Sequence, residues 1–296
     1  MSAIPIRYVE PVFRPPSEAQ SLILPVTDGC SWNECSFCEM YTAPQKAFRA
    51  RDEDEVLATI RRCGERFGRD VRRVFLADGD ATVLPTRRLL AILEAIRTHL
   101  PGVHRISSYC LPRNLRKKSQ AEVDALAAAG LAMVYVGAES GDDAVLAAVN
   151  KGETFDSTRE ALDKLGAAGI TRSVMLLNGL GGKALSAQHA AQSARLINAT
   201  QPEYLATLVV SFPQGEARLR AGFPGWEPLT QHELFVEMEA LLSALELKRT
   251  VFRSDHASNW LVLKGTLGAD KDRLLAQVRQ ALSGQAALRP ACARGL

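Results

Sequence analysis

Between residues 71 and 210 the chain alternates short, nearly unbroken apolar runs with stretches of helical periodicity, and few folds accept that pattern. The runs are 71–77 (VRRVFLA), 104–109 (HRISSY), 133–138 (MVYVGA), 171–177 (TRSVMLL) and 204–210 (YLATLVV), with 21–27 (SLILPVT) ahead of them. The helical stretches are 52–67, 85–100, 119–129, one from Asp142, 157–168, 186–199 and 231–246. Ser119 and Glu122 have capping-box spacing and Gly130 supplies the stop; Ser157 and Glu160, closed by Gly169, repeat the device. Continuous apolar strands followed by helices predict an α/β fold with a parallel sheet. Right-handed crossovers then gather every strand-to-helix loop at one end of the sheet. Six such units suit an open doubly wound sheet or a partial barrel, and both carry their chemistry at the carboxyl ends of the strands.

The unusual segments fall at those ends: 27–41 (TDGCSWNECSFCEMY) after the first strand, 78–85 (DGDATVLP) after the second, 110–118 (CLPRNLRKK) after the third, 139–143 (ESGDD) after the fourth and 178–183 (NGLGGK) after the fifth. Residues 1–20, with four prolines, read as an arm, 21–212 as the core and 213–296 as a C-terminal extension covering the barrel mouth or edge. In the extension, 213–229 reads as a loop, 250–253 as a strand, 254–259 (SDHASN) as a polar segment and 271–282 as a helix, with the last dozen residues frayed.

No apolar run has the roughly 18 residues of a membrane span and the first twenty residues lack a signal core, so a cytoplasmic protein with reduced thiols is expected. The net charge of +3 is mild and the Arg pairs are scattered, which makes nucleic acid an unlikely partner.

Three of the six cysteines, Cys30, Cys35 and Cys38, stand within nine positions. A structural zinc site needs a fourth ligand, for which Cys63, Cys110 or a His could serve. A [4Fe–4S] cubane held by three cysteines leaves one iron open, and an open position signals chemistry.

Here the residues resemble a known family. A cysteine loop of this kind after the first strand, with an aromatic residue (Phe37) before the last cysteine, resembles the radical S-adenosylmethionine (SAM) enzymes. Their commonest pattern is C-x3-C-x2-C; this chain has one residue more between Cys30 and Cys35. The resemblance covers residues 21–212 and implies a partial (β/α)6 barrel of the radical SAM type. It implies that Cys30, Cys35 and Cys38 hold a [4Fe–4S] cluster whose open iron binds SAM. By position it implies the methionine amine near Asp78 and Gly79 with Asp80 as a side-chain partner, ribose contacts at Ser107 or Ser108 and Glu139, and adenine beside Asn178, Gly179 and Gly181. Motif order looks like the stand-alone single-cluster proteins labelled by similarity to the YgiQ type or to oxygen-independent coproporphyrinogen oxidase. The function implied is reductive cleavage of SAM to a 5′-deoxyadenosyl radical that abstracts hydrogen from a small-molecule or cofactor-precursor substrate, with flavodoxin or ferredoxin as electron donor. The alternatives are radical SAM modification of RNA and a non-catalytic, zinc- or cluster-stabilised binding module.

Each residue also has a plainer reading. Phe37 packs between ligands, Asp78 and Asp80 form turns, and Glu139 serves the helix that follows. Cys110, a candidate hydrogen donor or relay, is a small buried hydrophobe. His256, a candidate acid–base group, pins the C-terminal segment by hydrogen bonding.

Overall fold

The structure is a computed structural model and describes residues 5–294. In chain order the elements are β1 (Leu22–Pro25), β2 (Thr27–Asp28), β3 (Arg49–Ala50), α1 (Glu53–Phe67), β4 (Arg73–Ala77), α2 (Thr86–His99), β5 (Arg105–Tyr109), α3 (Gln120–Ala128) and β6 (Leu131–Glu139). They continue with α4 (Asp143–Ala148), α5 (Phe155–Ala167), β7 (Thr171–Asn178), α6 (Gly182–Thr200), β8 (Tyr204–Val209), α7 (Ala217–Gly222), α8 (Gln231–Ala244), β9 (Thr250–Ser254), β10 (Leu263–Leu267) and α9 (Lys271–Leu282).

Eight strands form a mostly parallel sheet in the order β1-β4-β5-β6-β7-β8-β9-β10, and β10 runs antiparallel to β9. The strand order follows the chain order. A doubly wound sheet reverses direction at a switch point; this one does not, which decides the sequence-level alternative in favour of the partial-barrel type.

The chain divides into two compact units. The first comprises residues up to 33, 40–136 and 164–172. β4, whose Val74, Phe75, Leu76 and Ala77 are buried, pairs with β1 and β5, and α1 packs on α2 with Ile60, Ile92, Leu93 and Ile96 buried. α3 has the capping box read from Ser119 and Glu122.

The second unit comprises residues 34–39, 137–163 and 173–296. Its helices α6, α8 and α9 pack in succession. A buried cluster of Val145, Val149, Leu180, Leu219 and Trp226 has Phe37 packed against it.

Three local readings change. α5 begins at Phe155, because Thr154 rather than Ser157 caps it: Thr154 N–H donates to Ser157 Oγ at 2.9 Å and Ser157 N–H to Thr154 Oγ1 at 3.1 Å. Residues 217–222, read as loop, form α7 around the buried Leu219. The C-terminal dozen is tied down through residue 294. Arg289 N–H donates to Trp260 O at 2.8 Å, its guanidinium meets the carbonyls of Asp255, His256 and Asn259, and Arg294 stacks 3.6 Å from the Trp260 ring centroid. Residues 1–4 of the arm lie outside the described residues.

Candidate active site

In the first unit the loop after β4 is fitted against the start of the cysteine loop. Gly79 N–H donates to Gly29 O at 3.1 Å, and a Cβ on Gly79 would stand 2.4 Å from that oxygen and 2.7 Å from Cys30 Cα. Only glycine permits this approach. Asp80, fully buried, accepts from Ser31 N–H at 2.9 Å and from Asn114 Nδ2 at 3.2 Å, and its second oxygen also meets Ser31 Oγ. Its carboxylate is thereby engaged in holding the residue that follows Cys30. Burial raises the Asp80 pKa, opposed by the Ser31 and Asn114 hydrogen bonds.

Asp78 is paired with the buried Lys46 ammonium, and its N–H donates to Thr27 Oγ1 at 3.2 Å. Burial raises its pKa against the opposing pull of Lys46. Asp28 is gripped by Arg49 and Arg51, each at 2.7 Å, so the short β2–β3 ladder closes with charge as well as backbone pairing.

Ser107 and Ser108 are fully buried. Their hydroxyls donate to strand carbonyls, Ser107 to Val74 O at 3.5 Å and Ser108 to Leu76 O at 3.1 Å. Cys110 is buried, with its N–H on Tyr135 O at 2.9 Å. It lies packed just beyond the end of β5.

In the second unit the CSFC segment is pinned through its backbone. Ser36 N–H donates to Val149 O at 2.9 Å, Asn150 Nδ2 to Glu34 O at 3.3 Å, Cys38 N–H to Cys35 O at 3.3 Å, and Arg218 of α7 to Cys38 O at 2.8 Å. Cys35 and Cys38 keep partial exposure, as does Cys30 in the first unit, whereas Cys63 and Cys110 are buried.

Beside the segment lies Lys151, almost wholly buried, with Nζ 3.1 Å from Glu139 Oε1 and 5.8 Å from the Phe37 ring centroid. Burial lowers its pKa, but Glu139 and then the sulfurs of Cys35 and Cys38 outweigh this, and the net shift is upward. Lys151 is thus a buried positive charge beside the segment that carries Cys35 and Cys38, close to the ring of Phe37 between them. Such a charge favours thiolate, the form that binds metal.

Glu139, at the end of β6, adopts a left-handed backbone with φ 64°. Its Oε1 meets Lys151, while its buried Oε2 has no hydrogen-bond partner among the described residues. At the end of β7, Asn178 is buried with Oδ1 equally unpartnered. Two buried acceptors without donors at strand ends are costly unless a ligand supplies the donors. These orphaned acceptors and a cation beside partly exposed cysteines fit a hydroxyl-bearing nucleoside and a thiolate-ligated cluster.

Gly179 has φ +83°, and its N–H donates to Glu237 of α8 at 2.7 Å. Gly181 is the N-cap residue of α6. A Cβ on Gly182 would stand 2.8 Å from the Trp226 ring, so this glycine is also required. A cleft of about 550 Å³ adjoins Gly179, with Val210, Phe212, Trp226 and Arg294 among its lining.

His256 Nδ1 meets Ser258 Oγ at 2.9 Å, and burial, then Arg289, depresses its pKa. Ser258 N–H also donates to Nδ1, at 3.1 Å, which closes the turn. Sequence reasoning missed Lys46, Lys151 and Glu237. Each is an ionisable residue in an otherwise ordinary helix or loop, and only burial marks it out.

No helix among the described residues is long and apolar enough to cross a membrane. No curated protein matches the sequence significantly. Solved structures that resemble the chain include the radical S-adenosylmethionine methyltransferase TsrM from Kitasatospora setae (TM-score 0.51, 19% identity, covering 63% of this chain and 36% of TsrM). Coproporphyrinogen III oxidase HemN from Escherichia coli gives 0.57 at 17% identity, covering 75% of this chain and 52% of HemN, and methylornithine synthase PylB gives 0.52 at 15%, covering 90% and 69%. The chain thus spans about a third of TsrM and half of HemN, and at these identities the likeness shows the fold alone. The Radical SAM superfamily model, however, matches residues 24–197, more than half of the sequence. The chain therefore belongs to the Radical SAM superfamily, enzymes whose cofactors are a [4Fe–4S] cluster and S-adenosylmethionine.

Proposed function

We propose that Cys30, Cys35 and Cys38 hold the cluster, that SAM binds its remaining iron, and that the enzyme takes a hydrogen atom from a small molecule admitted at the carboxyl ends of the strands. The observation that carries this reading is the buried charge behind the cysteine loop: Asp80 fixes the backbone after Cys30, and the Lys151 ammonium stands 5.8 Å from the ring of Phe37, between Cys35 and Cys38. When bound, the cluster and SAM supply one-electron reductive cleavage of a carbon–sulfur bond.

The chain's own residues bind and orient. Gly79 allows the β4 loop to close on Gly29 and Cys30, which leaves the backbone near Asp78 as the methionine-side contact. Glu139 Oε2 and Asn178 Oδ1 are the acceptors offered to the ribose and adenine side, with Gly179 and Gly181 giving close backbone approach. Ser107 and Ser108, whose hydroxyls are spent on strand carbonyls, serve this side less directly. Phe37, packed into the apolar cluster, shields the thiols from water. The motif order favours the stand-alone YgiQ-type or coproporphyrinogen oxidase-like group; the cysteine composition favours a cytoplasmic setting with reduced thiols, and reductive cleavage calls for an outside electron donor such as flavodoxin or ferredoxin.

The test is anaerobic reconstitution with iron and sulfide, reduction with dithionite in the presence of SAM, and mass spectrometry of the nucleoside product. Formation of 5′-deoxyadenosine that disappears in Cys35→Ala supports the reading. Methylthioadenosine would mean that a different carbon–sulfur bond breaks. Zinc without iron–sulfur absorption, and no SAM cleavage, would overturn it.

A further inference from the structure

Glu237 lies in α8, forty residues beyond the end of the superfamily match, yet it is buried and both of its oxygens are engaged by the β7–α6 connection. Oε1 accepts from Gly179 N–H at 2.7 Å and Oε2 from Ser186 Oγ at 2.6 Å.

The other groups facing Glu237 are also accounted for. His189 of α6 has Nε2 3.9 Å away, beyond hydrogen-bond reach. Its ring instead meets Ser140 Oγ through Nδ1 at 2.8 Å and a backbone carbonyl at Leu177. Ser140 Oγ in turn accepts from Asp142 N–H at 3.0 Å, and Gly141 N–H donates to Ser193 Oγ at 2.9 Å. The loop carrying Glu139 and the loop carrying Asn178 are therefore both anchored to α6, and α6 with Gly179 is anchored to one carboxylate from α8. Each loop ends in a buried acceptor with no partner of its own, so any drift of its backbone moves an atom offered to the ligand.

We infer that Glu237 is a positioning residue for SAM: the C-terminal extension supplies the acceptor that fixes Gly179 and, through it, the Asn178 side chain on the nucleoside side of the site. This deepens the proposed function and rests on it. A buried acid here is costly and needs a donor set this complete; an apolar residue would pack the same space. The acceptor is what the position requires, so glutamine, which keeps an oxygen in the same place, preserves the function.

The experiment uses the full chain, reconstituted anaerobically, with two readouts: equilibrium binding of SAM, and amide hydrogen exchange over residues 177–183. Glu237→Met, close in size but without an acceptor, is expected to weaken SAM binding at least tenfold and to speed exchange in that segment, with iron and sulfide content unchanged. Glu237→Gln is expected to stay within threefold of the parent in both. If Glu237→Met does not fold, Ser186→Ala, which frees one carboxylate oxygen, is expected to weaken SAM binding about fivefold, outside the range allowed to Glu237→Gln, with the same exchange signature.

Faster exchange with undiminished SAM affinity, or equal loss in the Gln and Met variants, would overturn the positioning role while leaving the enzyme reading intact. A parent protein that binds no SAM would overturn both.

Discussion

Lys151 follows a six-residue helix in the sequence Val-Asn-Lys-Gly-Glu, where a lysine ordinarily belongs on the surface. In the structure its ammonium is almost without solvent and meets Glu139 at 3.1 Å. Removing one member of such a pair leaves the other charge uncompensated, which typically costs about 3–5 kcal/mol, whereas removing both costs far less. Lys151→Met is therefore expected to lower stability by roughly that amount, and Glu139→Gln in the same chain to recover part of it; urea denaturation of the two variants measures this, and additive losses would contradict the pairing. Gly79→Ala tests the opposite kind of constraint. Its new methyl meets Gly29 O at 2.4 Å. Overpacking of this kind costs about 1–3 kcal/mol, and the forced separation of the two loops is expected to lower iron content after reconstitution as well, read by iron assay and visible absorption. The glycine was legible because it stands in a polar loop at a strand end. Lys151 was not, because no periodicity tells a lysine that it will be covered by a segment more than a hundred residues earlier.

Among elements, legibility tracks how far local chemistry decides the outcome. α3 and α8 carry complete capping boxes, with Ser119 and Glu122 in one and Thr230 and Glu233 in the other. Alternating apolar runs and caps made the βα units readable, and strand order then chose the partial barrel, which spacing alone left open. α5 shows the limit, since Thr154 and Ser157 are both capping residues three positions apart, and the pair exchange hydrogen bonds rather than Ser157 starting the helix alone. Thr154→Ala is expected to cost about 1 kcal/mol, measurable as a shift in denaturant midpoint with unchanged slope. α7 was invisible for a different reason: six residues between prolines have little helical preference of their own. It persists because Leu219 joins the apolar cluster and Arg218 reaches Cys38 O. The same dependence on partners applies to the cysteine loop. Metal ligation by thiolates is linked to stability, because a cluster held by the folded chain stabilises it. Reconstitution should raise Tm by roughly 5 °C, and chelation of the iron should reverse it in differential scanning fluorimetry.

For the molecule as a whole, acid stability depends on a residue that composition hides. Glu18 sits in a single turn of 3-10 helix in the proline-rich arm, yet it is fully buried. It accepts from Arg105 at the start of β5 at 2.8 Å, from Tyr135 of β6 at 2.5 Å and from Ser21, so the arm is fastened to two strands of the first unit. Burial pushes its pKa up, but the Ser21 and Tyr135 hydrogen bonds and Arg105 outweigh it and the net shift is downward. A carboxyl held below its unfolded value contributes stability that is fully present above that value and is lost as pH falls through the folded one. Asp78 and Asp80 act in the opposite sense, because burial raises them and the folded chain binds their protons first. The total pH profile is therefore a sum of opposed slopes, and only a difference between variants isolates Glu18. Hydrogen bonds to a charged group contribute about 2 kcal/mol, so Glu18→Gln is expected to lose that much at pH 7, with Arg105 still partly solvated and the loss correspondingly modest. As the pH falls below about 4 the parent's advantage should shrink towards zero, since its carboxyl is then also neutral. Urea midpoints of the cluster-free chain and the variant, taken from pH 7 to pH 3 by circular dichroism, measure the gap directly. A gap that stays constant across that range would mean that Glu18 stabilises the arm by shape alone, and that its charge, although paired, plays no part.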